Sequence, residues 1–207
     1  YGDAYAYEVH YFYNDVEDND ALITGKGLKD SSVPFTDKPK DGYLLDYMTN
    51  LPITIQTDPT KNIANVYYAS DNNGKSDPTN PTDPTDPNRP DKGDGIPDKY
   101  QAIVTYEILG GTWDGNTDTA NRYAVFTTHT QKADKSGWEP IAPAPALGTT
   151  IPDVSASKPD DSHSGDGSWG SNEPLATTTA ADKAVYTFSY GDAYAYEVHY
   201  FYNDVED

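Results

Sequence analysis

The chain predicts a mainly β protein, with small sheets in tandem joined by an extended linker, and three observations predict it. Aromatic residues alternate with period two in its most patterned stretches. The eighteen residues YGDAYAYEVHYFYNDVED occur at 1–18 and again, unchanged, at 190–207. A run with proline at positions 78, 81, 84, 87 and 90 separates two regions of strand-like pattern.

The duplicated stretch organises the rest. Tyr5, Tyr7, Val9, Tyr11 and Tyr13 fall on alternate positions, as one face of a strand requires. In the second copy the same residues are Tyr194, Tyr196, Val198, Tyr200 and Tyr202. Upstream of it, Tyr186, Phe188 and Tyr190 share their even parity. That continuity predicts one ribbon from Ala184 to Tyr202, about 60 Å long at ~3.3 Å per residue. A bend or bulge at Gly191 is the alternative, since glycine within a strand pattern marks either. The copies are 189 residues apart (190 minus 1), so the chain reads as one period of a tandem array plus the first strand of the next.

Composition suits that reading. Hydrophobic residues are only 35% of the chain and eighteen residues are tyrosine, so half-buried aromatic faces must supply much of the core. A net charge of −20 disfavours nucleic acid and anionic membranes as partners. Cysteine is absent, so no disulfide staples the fold. No apolar run approaches the ~20 residues that span a bilayer, and no signal peptide or anchor is visible.

Four segments follow: a β domain at 1–70, a linker at 71–93, a second β domain at 94–190, and the repeated strand at 191–207. In the first, strands are expected at 5–13, 21–25, 42–47, 52–56 and 62–68, with a turn at 14–20. Pro34 and Pro39 exclude a long helix from the crossover at 26–40. In the linker, proline at every third position favours polyproline II. Thr79, Thr82 and Thr85 share one edge of that helix, as O-glycan acceptors or as an unmodified spacer. In the second domain, strands are expected at 100–109, 122–129, 138–141 and 184–190. The stretch 142–182, rich in Pro, Gly, Ser and Asp, reads as mostly irregular.

Two sets of motifs resemble known repeats. The Tyr-x-Val-x-Tyr-x-Tyr strand, Lys38-Pro39-Lys40-Asp41-Gly42-Tyr43-Leu44 and Asn65-Val66-Tyr67-Tyr68 make residues 5–69 similar to the mucin-binding-protein repeats of Gram-positive surface proteins. That resemblance implies a small β-grasp-like domain on a cell-wall-attached protein, often an adhesin; many repeats of such families act as spacers. Gly93-Asp94-Gly95-Ile96-Pro97-Asp98, Gly110-Gly111-Thr112-Trp113, Leu147 to Pro152 and Gly167-Ser168-Trp169 make residues 94–190 similar to a second repeat type, found in large surface proteins of gut Gram-positive bacteria.

Candidate sites are few. Asp91, Asp94 and Asp98 around Gly95 suggest a calcium loop, but its first and third positions would be Pro90 and Lys92, which supply no carboxylate; a polar domain entry is the alternative. Asp160, Asp161 and Asp166 around His163 form a second acidic loop. Trp113, Trp138 and Trp169 are either a glycan-stacking platform or core. His10 and its copy His199 belong on the less aromatic face. No catalytic motif is present: no Gly-x-Ser-x-Gly elbow, no His-Glu-x-x-His and no phosphate-binding glycine loop. No motif marks a Lys–Asn isopeptide crosslink either.

The expected function is therefore non-enzymatic and without a required cofactor: an extracellular stalk repeat whose partners are neighbouring repeats. A filament subunit that pairs through the duplicated strand, and a module binding mucin or other host glycans, are the alternatives.

Overall fold

The computed structural model describes residues 2–72, 83–86, 93–199, 201–202 and 205–206. It is mainly β, with several separate sheets and no α-helix among the described residues.

The first sheet opens with β1 (Ala4–Tyr13), turns through Asn14 and Asp15, both at positive φ, and returns as the short β2 (Val16–Glu17). The two-residue turn with left-handed residues is the geometry that matches hairpin twist. β3 (Ile23–Leu28) then pairs antiparallel along the first half of β1. After a crossover carrying β4 (Ser32–Val33) come β5 (Tyr43–Thr49), β6 (Ile53–Thr54), which pairs with β4, and β7 (Ile63–Ser70). β7 lies parallel to β1 and antiparallel to β5, so the order is β3-β1-β7-β5.

The second sheet repeats this plan. β8 (Gln101–Leu109) pairs with β9 (Arg122–Thr127), and the small ribbon β10 (His129–Gln131) with β11 (Trp138–Pro140) follows. β12 (His163–Trp169) pairs antiparallel with β13 (Val185–Asp192), which lies parallel to β8; the order is β9-β8-β13-β12. In both sheets the first and last long strands are therefore central, adjacent and parallel. That is the strand order of a β-grasp, with irregular chain in place of its helix.

Tyrosine explains how irregular chain can cover a sheet. The crossover at 34–40 contains Pro34 and Pro39 and makes no ladder, yet its backbone polar groups need partners. Tyr11 Oη donates to the Thr36 carbonyl at 2.7 Å and Tyr13 Oη to that of Lys38. Tyr68 Oη accepts the Lys38 N–H at 2.9 Å and donates to the Asp37 carboxylate. Below these hydroxyls the rings of Tyr11, Tyr13 and Tyr68 pack with Val9, Ile53, Ile55, Ala64 and Val66. The second core uses the same device: Tyr106 bonds Thr150 Oγ1 at 2.9 Å and Tyr190 donates to the Ser157 carbonyl at 2.8 Å, over Val104, Phe126, Leu147 and Phe188.

Two expectations are corrected, the ribbon and polyproline II at residues 83–86. The ribbon from Ala184 to Tyr202 does not form: β13 stops at Asp192, and residues 193–199 form no strand. The cause is tertiary. In the first copy β1 lies between β3 and β7, whereas among the described residues the second copy has neither neighbour. What is local survives, since β14 (Phe201–Tyr202) and β15 (Val205–Glu206) pair in the register of β1 and β2. The stretch 142–182 is mostly irregular but holds β12, whose glycines and serines hide the alternation and whose pairing shifts between Ser164 and Ser168. The two ends of the linker are clasped together, as described below. Most of it, Thr79 and Thr82 included, lies outside the described residues, as does the polyproline II expectation there. The piece 83–86 is a turn instead, closed by Asp83 Oδ1 accepting the Thr85 N–H at 2.8 Å, with Pro84 buried.

Candidate functional site

The densest polar cluster joins the two sheets. Asp46 sits on β5 at the point where its pairing with β7 shifts register between Leu45 and Tyr47. This irregularity turns the side chain out of the first sheet, and Asp46 is only 1% exposed. The side chains that bond its carboxylate and carbonyl come from beyond the linker. Tyr100 Oη donates to Oδ1 at 2.8 Å and Lys99 pairs with Oδ2. The Asp46 carbonyl accepts Gln131 Nε2 at 2.9 Å and Trp138 Nε1 at 3.1 Å. Burial, and then the bond to Asp46, push the Tyr100 phenol well above its ordinary range, so it donates a proton throughout neutral conditions.

Aromatic packing continues the joint. Trp138 stacks on Tyr100 with centroids 4.5 Å apart, and Lys99 lies over the rings of both Tyr47 and Tyr100. On the first sheet Tyr47 stacks on Tyr67 and Tyr67 on Phe12, a ladder across three strands. Tyr67, on the middle strand, stacks on both its neighbours.

A second clasp closes the linker. Asp71, directly after β7, accepts the N–H groups of Asp94 at 3.0 Å and Gly95 at 2.9 Å. Asp98 in turn accepts the Asn72 N–H at 2.8 Å. Gly93 and Gly95 both have positive φ, and a Cβ on Gly93 would stand 3.1 Å from Asp71 Oδ2. The Gly-Asp-Gly turn thus aims backbone N–H groups at one of the protein's own carboxylates.

The remaining sequence-predicted residues separate. Asp94 binds the Ile96 N–H and Gln101 Nε2, so the carboxylates of the suggested calcium loop face N–H donors; Asp91 lies outside the described residues. Among the described residues no group of three His, Asp or Glu is placed to hold a metal ion. In the other acidic loop Asp160 bonds His163, Ser162 and the Ser162 N–H, which hold its carboxyl down at about 2. The tryptophans share no surface: Trp138 is in the joint, Trp169 packs edge-on against Phe188, and Trp113 is buried with the Arg122 guanidinium 5.8 Å over its ring.

Of the repeated strand, Val9, Tyr11 and Tyr13 are buried and Tyr5 and Tyr7 half-buried, whereas Tyr194 and Tyr196 are 84% and 87% exposed and Val198 is exposed. The side chains of Tyr200 and Tyr202 lie outside the described residues. His10 bridges Glu8 at 3.0 Å and Glu17; the Glu17 bond raises its pKa, burial opposes, and the Glu8 bond adds to the rise. Its copy His199 contacts Glu197 at 3.1 Å.

The joint was missed in sequence, although one signal pointed to it: an acid inside the apolar run Tyr43-Leu44-Leu45-Asp46-Tyr47-Met48. No family model, curated protein or solved structure matches the chain. Among the described residues no helix is long and apolar enough to cross a membrane.

Proposed function

We propose that the chain is a non-enzymatic tandem repeat of a bacterial surface protein, extracellular and attached to the cell wall, that serves as an extended stalk. One observation carries the reading. In each sheet the entering strand and the leaving strand are neighbours and parallel, so the chain enters at one end and leaves at the other. Modules built this way add length in series, and the clasped joint prevents free hinging between them. The mucin-binding-protein resemblance supplies the cell-wall setting. A polypeptide holding two complete 189-residue periods should show a maximum dimension in small-angle scattering close to twice that of one period. An unchanged dimension, with the second period folded back on the first, would overturn the stalk.

A second reading is favoured by the identity of residues 1–18 and 190–207. The second copy is chemically equivalent to β1 and could replace it in another molecule, giving a filament. Light scattering across a concentration range separates the two: monomers throughout exclude the filament, and mass growing with concentration supports it.

A further inference from the structure

We propose that successive repeats are locked together by a seam, in which the acidic turn at 160–162 of one repeat packs on the turn Pro59–Lys61 of the next copy, with Asp161 facing Lys61. The inference deepens the stalk reading and rests on its tandem array; the partner it names is the next copy of residues 19–70.

Strand edges carry it. Successive residues of an extended strand direct their N–H and C=O groups to opposite edges. In β13 the odd positions face β12: the Thr187 carbonyl accepts the Gly170 N–H at 3.0 Å, and the Ala193 N–H donates to the Ser162 carbonyl at 2.9 Å. The even positions face β8, as the Ala184 carbonyl does in accepting the Thr105 N–H at 2.9 Å. In β1 the even positions face β7: the Glu8 N–H donates to the Asn62 carbonyl at 3.0 Å, and the Ala6 carbonyl accepts Asn62 Nδ2 at 3.0 Å. Ala193 is the copy of Ala4, and Ala195 is the copy of Ala6. The strand that leaves the second sheet therefore offers β12 the same edge that it offers the next copy of β7.

The registers then tile without conflict. On that edge β12 reaches Ala193 through Ser162, and the next Asn62 begins at Ala195. On the other edge β8 pairs up to Ser189, and the next β3 pairs from Ala193 on, where its Leu28 lies opposite. Ser162 and the next Asn62 hold consecutive places on their shared edge, two residues or about 6.6 Å apart. Because β12 is antiparallel to β13, the residues before Ser162 lie toward the next repeat; because β7 is parallel to β1, the residues before Asn62 lie toward the previous one.

Both flanking segments are tight turns. The His163 N–H closes the first on the Asp160 carbonyl at 3.1 Å, and the Asn62 N–H closes the second on that of Pro59 at 3.0 Å. A notch of about 170 Å³ beside the second, lined by Ala6, Tyr7, Glu8, Pro59, Thr60 and Ile63, receives the first. The charges are complementary. Asp160 is already held by Ser162 and His163, whereas among the described residues neither Asp161 nor Lys61 is in an ion pair. With the clasps inside each period and the seam between periods, neither connection of the array swings freely.

The test uses the whole chain extended past Asp207 by a copy of residues 19–70, into which pairs of cysteines are placed. The chain has no cysteine of its own, so any disulfide reports the chosen pair. Asp161→Cys with Lys61→Cys in the added copy should form a disulfide in a glutathione redox buffer. Asp161→Cys with Lys29→Cys in the added copy, just after β3 on the opposite edge, should not, because a disulfide needs Cα atoms within about 7 Å. All three positions are exposed, so no core is disturbed. Ser162→Cys with Thr60→Cys in the added copy should also close, and repeats the measurement with other side chains. No disulfide in the Lys61 and Thr60 pairs, or a Lys29 pair that closes as readily as they do, would overturn the seam. Disulfides that form while the two-period scattering dimension fails to double refute the stalk and leave the seam standing; a doubled dimension without them does the reverse.

Discussion

Replacing Tyr68 by phenylalanine tests whether tyrosine hydroxyls hold the crossover on the first sheet. The substitution keeps the buried ring, its stack on Tyr13 at 5.0 Å and its place against Val66. It removes only Oη, which accepts the Lys38 N–H and donates to the Asp37 carboxylate. A hydrogen bond to a charged acceptor contributes roughly 1.5–3 kcal/mol, and leaving the Lys38 N–H without a partner costs about 1 kcal/mol more in a half-buried setting. The expected loss is therefore about 2–4 kcal/mol. Tyr13→Phe, which gives up a single bond to the Lys38 carbonyl, should lose about 1 kcal/mol. Urea denaturation followed by circular dichroism measures both. With a slope of roughly 1–3 kcal/mol per molar urea, Tyr68→Phe should lower the midpoint by about 1–2 M and Tyr13→Phe by well under 1 M. A Tyr68→Phe midpoint indistinguishable from that of the parent chain would refute the argument, and the crossover would then have to be held by ring packing alone.

Other expectations follow from the same contacts. Asn62 is fully buried and satisfies three backbone groups, accepting from the Gln56 N–H and donating to the carbonyls of Gln56 and Ala6, so Asn62→Leu should cost about 3 kcal/mol in the same denaturation assay. Burial raises the phenol pKa values of Tyr68 and Tyr100, with bonds to Asp37 and Asp46 adding to it. A raised folded-state pKa gives stability that is fully present below the unfolded value near 10 and is lost as pH rises through the folded one. Alkaline unfolding should therefore shift to higher pH in Tyr100→Phe relative to its own neutral stability. His10, raised chiefly by Glu17, contributes stability present below about 6.5 and lost as pH climbs through its folded value. An NMR titration should show the His10 ring deprotonating at higher pH than in Glu17→Gln.

Much of the fold was legible because it is written locally. Alternation located β1, β7, β8, β9 and β13 to within a few residues, since one buried face leaves a period of two in any half-covered strand. β12 was not legible: His163 to Trp169 carries three small polar residues and two glycines, and pairing with β13 rather than its own sidedness makes it a strand. The joint was illegible for a different reason. Asp46 and Tyr100 are 54 positions apart, and Asp71 and Asp94 are 23 apart, so no spacing rule links them. The Gly-Asp-Gly turn was visible, but a loop that gathers carboxylates for a cation and one that offers N–H groups to a carboxylate share the same letters.

The duplicated stretch shows how far local information reaches. Its first copy forms a ten-residue strand, whereas among the described residues the second ends β13 at Asp192 and then forms the terminal hairpin of Phe201–Tyr202 with Val205–Glu206. A strand with no neighbours is not stable in water however well its residues suit it, because the ladder and the covered face supply the stabilisation. Yet β13 ends at Asp192, and the residue equivalent to the start of β1 is Ala193, the very next one. The Ala193 N–H still bonds the Ser162 carbonyl at 2.9 Å, so the backbone leaves the second sheet in extended pairing. Burial falls on even positions at Tyr186, Phe188 and Tyr190, and by equivalence with Val9, Tyr11 and Tyr13 it would fall on even positions after Ala193. Nothing in the chain's own pattern breaks the strand at Gly191; a partner alone is wanting. Extending the chain past Asp207 with a copy of residues 19–70 supplies it, and the amides of 193–202 should then show the same protection from hydrogen exchange as those of 4–13, which pair with β3 and β7. Protection absent in the extended chain would place a true bend at the junction and make each 189-residue period a separately hinged body.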